Sequence, residues 1–259
     1  MFTLTRAKAH GGQAGEPLPT VFPKFEANTV HIRRGQLTLI ASAPGVGKSL
    51  LSMSIAMKAK VPTFYFSADT DAFTMYLRGA SLETGYLMED IENTVRAGKT
   101  ELIDAKLNAA DHIRWSFATG PSPEDIEDEL QAFAAIYGEW PALIVIDNLR
   151  NVYIRDSGED MDGVCQYFKD LASRTGAAVI GLHHVKGAWN DGNIAIPLSG
   201  LIGQIGKIPE VILTLHKTGS EAAGWSMGVS TVKNRTGRGD PSGNFIIHLE
   251  YAPERMHLA

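Results

Sequence analysis

The sequence predicts an α/β fold: a mainly parallel central sheet flanked by helices, with an antiparallel C-terminal edge. Three observations carry this expectation. From residue 36 onward, short apolar runs alternate with helix-like segments, the arrangement that packs helices over parallel strands. Residues 142–146 (ALIVI) and 178–182 (AVIGL) are nearly all apolar, as strands covered on both faces must be. After residue 211 the pattern changes to runs at 211–215, 227–232 and 245–251 separated by polar turns, with a Gly/Pro/Asp turn at 237–243.

Taken in order, residues 1–29 carry Gly, Pro and Ala without a sustained period and read as an N-terminal arm or irregular lead-in. Residues 30–259 read as one domain, since 259 residues suffice for one sizeable core. Residues 36–42 (QLTLIAS) form a short strand. Behind it come Pro44, Gly45 and Gly47, then a helix whose Leu51, Met53, Ile55 and Ala56 supply a buried face. Residues 61–66 (VPTFYF) precede a helix running through Arg78. Residues 113–117 precede another, opened by Pro121, Ser122, Pro123 and Glu124.

Composition narrows the function classes. The chain is 44% hydrophobic and 20% charged, which excludes a fibrous or disordered protein. The single Cys165 excludes a disulfide framework and a cysteine metal cluster, and fits a cytoplasmic protein. The longest apolar runs are too short to span a bilayer, so no membrane association is expected. A formal net charge of -5 requires any contact with nucleic acid to be local.

The segment Ser42, Ala43, Pro44, Gly45, Val46, Gly47, Lys48, Ser49 and Leu50 sits between a strand and a helix and has the form of a phosphate-binding loop. Successive backbone N–H groups line an anion nest, and the following helix points its positive end at the same place. Lys48 neutralises the β- and γ-phosphates of ATP, and the Ser49 hydroxyl ligates Mg2+. Ser42 stands where such loops carry their first Gly, which would strain the loop if that position needed a positive φ. Asp147, closing the ALIVI run, places a carboxylate beside the metal's water shell. Hydrolysis needs a group to orient the attacking water; Asp69 is the best-placed carboxylate, and Asp71 competes with it.

These residues resemble the RecA-like ATPase core of DnaB-type replicative helicases, and more narrowly plasmid RepA-type hexameric helicases. The resemblance covers residues 28–252. F-S-A-D ending at Asp69 resembles the family's F-S-L-E, whose acid is the catalytic base, with Asp here in place of Glu. D-N-L-R from Asp147 to Arg150 is similar to D-Y-L-Q. The L-H-H-V-K-G run, residues 182–187, resembles the RepA-type L-H-H segment, which implies that His184 senses the γ-phosphate. Lys233, Asn234 and Arg235 resemble K-Q-R, which implies that Lys233 and Arg235 reach the γ-phosphate of a neighbouring subunit. That implies a homo-oligomer, a hexameric ring or a filament.

By the same resemblance the loops at 151–163 and 186–203 face single-stranded DNA, with Arg150, Arg155 and Lys186 as contacts, although Asp156, Glu159 and Asp160 offset their charge. The 29 lead-in residues leave no room for the family's N-terminal helical domain, so a loader or primase would be a separate partner. The implied activity is an ATP-dependent DNA helicase or translocase. A filament-forming recombination or annealing ATPase and a regulatory ATPase with a protein partner are the alternatives.

Overall fold

The computed structural model describes residues 15–154, 161–203, 205–220 and 224–259. Its strands are β1 (Leu37–Ser42), β2 (Thr63–Ser67), β3 (Ile113–Ser116), β4 (Leu143–Asp147), β5 (Ala178–His184), β6 (Val211–Ser220), β7 (Gly224–Asn234), β8 (Ile246–Ala252) and β9 (His257–Leu258). They form one sheet in the order β3-β2-β4-β5-β1-β6-β7-β8-β9. The pairings from β3 through β6 are parallel, and those of β7, β8 and β9 are antiparallel, as the sequence predicts. Every residue of β1, β2 and β4 is buried, which is why their alternation in polarity is so weak.

The helices are α1 (Pro23–Ala27), α2 (Lys48–Ala59), α3 (Ala72–Thr84), α4 (Met88–Arg96), α5 (Glu101–Asn108), α6 (Pro123–Tyr137) and α7 (Met161–Thr175). α6 starts where the sequence places it, with Pro123 in its first turn and a capping box between Ser122 and Asp125. It ends at Gly138, whose φ of 76° only glycine adopts without strain. α3 is capped by Asp71, whose side chain accepts from the Thr74 backbone N–H, and it runs six residues past the Arg78 end that the sequence suggests.

One expectation is corrected. Residues 15–29 are not irregular throughout: α1 lies there, and Leu18, Phe22 and Phe25 enter the main core. A five-residue helix is too short to show a period in sequence. The 186–203 segment is anchored to the core. Ile196 and Leu201 are buried, Trp189 packs against the core, and Val185 bridges Leu201. Apolar residues spaced without a period anchor it. Arg155 and the stretch around it lie outside the described residues. Among the described residues, no helix is long and apolar enough to cross a membrane.

Candidate active site

β1 ends in the middle of the sheet, between β5 and β6, so the loop after it emerges at the carboxyl edge of the parallel strands, where open α/β sheets bind ligands. Ser42 is still part of β1 and has no positive φ; the strain that its side chain threatened does not arise, because this position is extended. The turn is made instead by Gly45 at φ 73° and Gly47 at φ 119°. At Gly47 it is the backbone angle that calls for glycine; a Cβ there would also lie 2.6 Å from the terminal methyl of Met227, a flexible side chain that can turn aside.

α2 begins at Lys48 with its first N–H groups turned back toward the loop. The Lys48 ammonium donates to the carbonyls of Ser42 at 3.2 Å and Ala43 at 3.3 Å. Burial lowers its pKa to about 8, although Asp147 and then Asp69 pull it back up. The loop thus holds a cation that is largely desolvated and oriented before any phosphate arrives.

Asp147 ends β4, beside Ser67 of β2. Its carboxyl is buried, accepts from the Tyr65 hydroxyl at 3.2 Å, and lies beside the Ser49 side chain. Burial raises its pKa, against the lowering effect of the Ser49 and Tyr65 side chains. The two residues expected to ligate Mg2+ are therefore side by side. Hydroxyl and carboxylate oxygens are the donors a hard divalent cation takes, so this pair fits Mg2+. Tyr65, held by Ser52 at 2.9 Å, orients the carboxylate and was not singled out from sequence.

Asp69 and Asp71 separate cleanly by geometry. Asp71 caps α3, accepting from the Thr74 N–H at 3.0 Å and its hydroxyl at 2.7 Å, and these bonds hold its pKa below the usual range. Asp69 is exposed and accepts from the side-chain amides of Asn148 and, at 2.7 Å, Asn151. The Asn148 amide also lies 3.2 Å from Nε2 of His184. Its own oxygen accepts from the Arg150 N–H at 3.0 Å, which fixes which way the amide faces. Asn148 thus joins Asp69 to His184, a link that sequence reasoning missed; the residue after a strand-terminal Asp was the available signal. Burial, then the Lys48 charge, lowers the His184 pKa. Its neighbour His183 is the structural member of the pair: buried, bonded to the Ile202 carbonyl at 2.8 Å, its pKa pushed down to about 4.

Beside the loop lies a cavity of about 230 Å3 lined by Lys48, Ser49, Arg78, Tyr251, Pro253 and Met256. Tyr251 comes from β8, and Pro253 and Met256 from the turn between β8 and β9, so the antiparallel edge reaches the site; these too were missed from sequence. A larger cavity, about 330 Å3, is apolar and lined by Met53, Met57, Met75 and Trp115. Chemistry, not size, picks out the site. The segment after β5 also touches the loop: a Cβ on Gly192, at φ 66°, would meet Val46 at 2.3 Å. Lys186 and Arg150 are exposed near the same edge.

Lys233 and Arg235 lie elsewhere. Asn234 pairs with Val211, and Val211 pairs with Thr38, so the end of β7 is level with the start of β1, one strand away. From Leu37 to Ser42 a strand extends about 17 Å. Arg235 therefore stands at the opposite end of the sheet from the phosphate loop of its own chain.

Comparisons with known proteins give the family and the fold. Residues 26–188 match the AAA domain family. The chain is 42% identical over 265 residues to the Gene 65 protein of Mycobacterium phage L5, covering all of this chain and 98% of that one. It is 43% identical over 230 residues to the Gene 65 protein of Mycobacterium phage D29, with 86% and 98% covered. Among solved structures, an isolated ATPase domain matches with a TM-score of 0.78 at 17% identity, over 99% of this chain and 95% of that one. A DnaB-like replicative helicase, solved for its interactions with primase, matches with a TM-score of 0.81 at 17% identity, over 99% of this chain and 64% of that one. The chain belongs to the AAA domain family and is an ATPase with the RecA-like fold of DnaB-type helicase cores.

Proposed function

We propose that this ATPase is a Mg2+-dependent DNA helicase or translocase of the DnaB and RepA type that works as a hexameric ring on single-stranded DNA. Ser49 and Asp147 would hold the metal, whose contribution is to neutralise charge on the β- and γ-phosphates. The backbone from Ser42 to Leu50 and the Lys48 ammonium bind and orient the triphosphate. Asp69 orients a water and takes its proton as the oxygen bonds to the γ-phosphorus and ADP leaves. Asn148 ties that carboxylate to His184, so a change at the γ-phosphate reaches the segment after β5, which carries Lys186 and packs Gly192 on Val46. Arg150, Arg155 and Lys186 contact the strand.

The observation that most supports an assembly of subunits, ring or filament, is the separation of Arg235 from its own phosphate loop. Loop, metal ligands and base gather at one end of the sheet. The cation needed for charge developing on the transferring phosphoryl group stands at the other. An arginine finger supplied in trans is worth roughly 10³ to 10⁵ in rate, so a single subunit would be nearly inactive. The likeness to a helicase that interacts with primase makes a separate primase or loader a proposed partner. Electron microscopy with single-stranded DNA and a non-hydrolysable ATP analogue tests the proposal: closed rings are expected. Filaments would favour a recombination or annealing ATPase, and particles free of DNA a regulatory one.

A further inference from the structure

Glu210 is the residue to which the remote Arg235 is tied. It precedes β6 and is 8% exposed. Its backbone is pinned to the start of β1, donating to the Leu37 carbonyl at 3.0 Å, and its Oε2 accepts the Leu37 N–H at 3.1 Å. The Arg235 N–H donates to the Glu210 carbonyl at 3.1 Å. Its other carboxylate oxygen, Oε1, lies 3.0 Å from the Lys169 ammonium on α7 and 3.6 Å from Nη1 of Arg235. Nη2 of Arg235 donates to the Lys207 carbonyl at 3.1 Å, while Lys233 donates to Gly206 at 2.7 Å and Lys207 at 2.9 Å. Burial, then the charge of Arg235, holds the Lys233 ammonium below its ordinary range.

Two cations, Lys169 and Arg235, therefore meet one buried carboxylate, while Lys233 is held by backbone carbonyls. A structural ion pair would need only one of the two. Arg235 remains half exposed, with a side-chain exposure of 47%, and meets Glu210 at 3.6 Å, a distance set by charge attraction more than by a short hydrogen bond. A guanidinium has five N–H donors, and two contacts leave donors over for an anion arriving from outside. The arrangement holds the guanidinium in place without consuming it.

We propose that Glu210 is the positioning residue for Arg235, presenting its guanidinium to the triphosphate bound by a neighbouring copy of this chain. This rests on the reading of Arg235 as a finger in trans. Because Glu210 is fixed to Leu37 and the phosphate loop grows from Ser42, one strand carries the anchor of the outgoing finger at its start and the subunit's own nucleotide site at its end.

Glu210→Gln keeps the side-chain shape and an oxygen for the Leu37 N–H but removes the charge that holds Arg235. A displacement of about 1 Å at a reacting group can cost ~10²-fold in rate. The expected result is a loss of tenfold or more in ATP turnover, with affinity for a non-hydrolysable ATP analogue and ring assembly by native mass spectrometry unchanged. The Glu210→Gln subunit keeps a sound phosphate loop. Mixed with Lys48→Ala, whose finger is sound, it should regain turnover at interfaces where the first supplies the loop and the second the finger. A purely structural carboxylate would give no such recovery. Turnover within twofold of the parent, or a loss that mixing leaves unchanged although mixed rings form, overturns the inference. If Glu210→Gln does not fold, Glu210→Asp carries the test: the charge is retained but withdrawn by one methylene, and a smaller loss, recovered by the same mixing, is expected. Mixing Arg235→Ala with Lys48→Ala separates the two levels. If that pair stays inactive in mixed rings, the finger in trans is wrong; if it recovers while Glu210→Gln loses nothing, only the role of Glu210 is wrong.

Discussion

Lowering the pH should destabilise the fold in part through His183, whose share can be isolated. Its imidazole is fully buried, bonded through Nε2 to the Ile202 carbonyl at 2.8 Å, and Nδ1 has no partner among the described residues. The charges of His184, Arg150 and Lys48 add to burial in disfavouring protonation, and the pKa falls from 6.5 to about 4. A ring kept neutral in the folded chain contributes stability that is present above pH 6.5 and is lost as pH falls toward 4, because the unfolded chain takes up the proton first. Linkage between those two values gives a loss of about 2 kcal/mol between pH 7 and pH 5.

The assay is urea unfolding at both pH values for the parent and for His183→Gln, which keeps an N–H donor for Ile202 but cannot titrate. Burial also depresses His184 and His216, but these act equally in both proteins, so the difference isolates His183. With a urea slope of about 3 kcal/mol/M, the parent midpoint should fall by about 0.6 M more than that of the variant. Equal shifts in the two proteins would refute the argument and leave His183 ordinary in its titration.

Other outcomes follow from the site. Lys48→Ala should abolish ATP hydrolysis and weaken nucleotide binding; undiminished turnover in a preparation free of contaminating ATPase would sink the assignment of the loop. Asp69→Asn should lose turnover while keeping affinity for an ATP analogue. Asp71→Asn, which still caps α3, should leave both unchanged, and the reverse pattern between the two variants would mean that the wrong carboxylate has been chosen. Labelled single-stranded DNA should bind more tightly with an ATP analogue present and more weakly as salt rises, since phosphate contacts release counterions. No binding at low salt would point to a protein partner instead.

The parts of this site that were legible in the sequence are those fixed by short-range chemistry. A strand, two glycines at positive φ and a lysine at a helix start must lie next to each other in the chain to make a phosphate nest, so residues 42–50 could be read directly. Asp147 was legible because a wholly buried strand leaves its first polar residue at the sheet edge. What sequence could not separate was Asp69 from Asp71, two residues apart and both at a strand end; only the bond from Thr74 to Asp71 assigns one of them to capping. Asn148 escaped notice because its meaning lies in two partners, 79 and 36 positions away. Tyr251 and Met256 reach the nucleotide cavity only through the antiparallel extension, which no local pattern specifies.

The distant pairings also bear on how a ring could couple its sites. A sheet transmits position along its strands better than a loop does, because each residue is held by neighbours on both sides. From Thr38 to Ser42, β1 has β5 on one side and β6 on the other. Its start is locked to Glu210 by a reciprocal pair of bonds, and its end opens into the phosphate loop. Under the proposed function, occupancy of a subunit's own loop and the placing of its finger in the next subunit would act on two ends of the same strand. A movement of β1 at either end would be felt at the other without passing through any flexible segment. Substitutions at Glu210 should accordingly reduce the cooperativity of ATP hydrolysis in ATP concentration as well as its rate. Arg235→Lys, which leaves Glu210 and β1 untouched, should reduce the rate while the cooperativity stays. Loss of cooperativity in both variants alike would assign the coupling to the finger itself and not to the strand behind it.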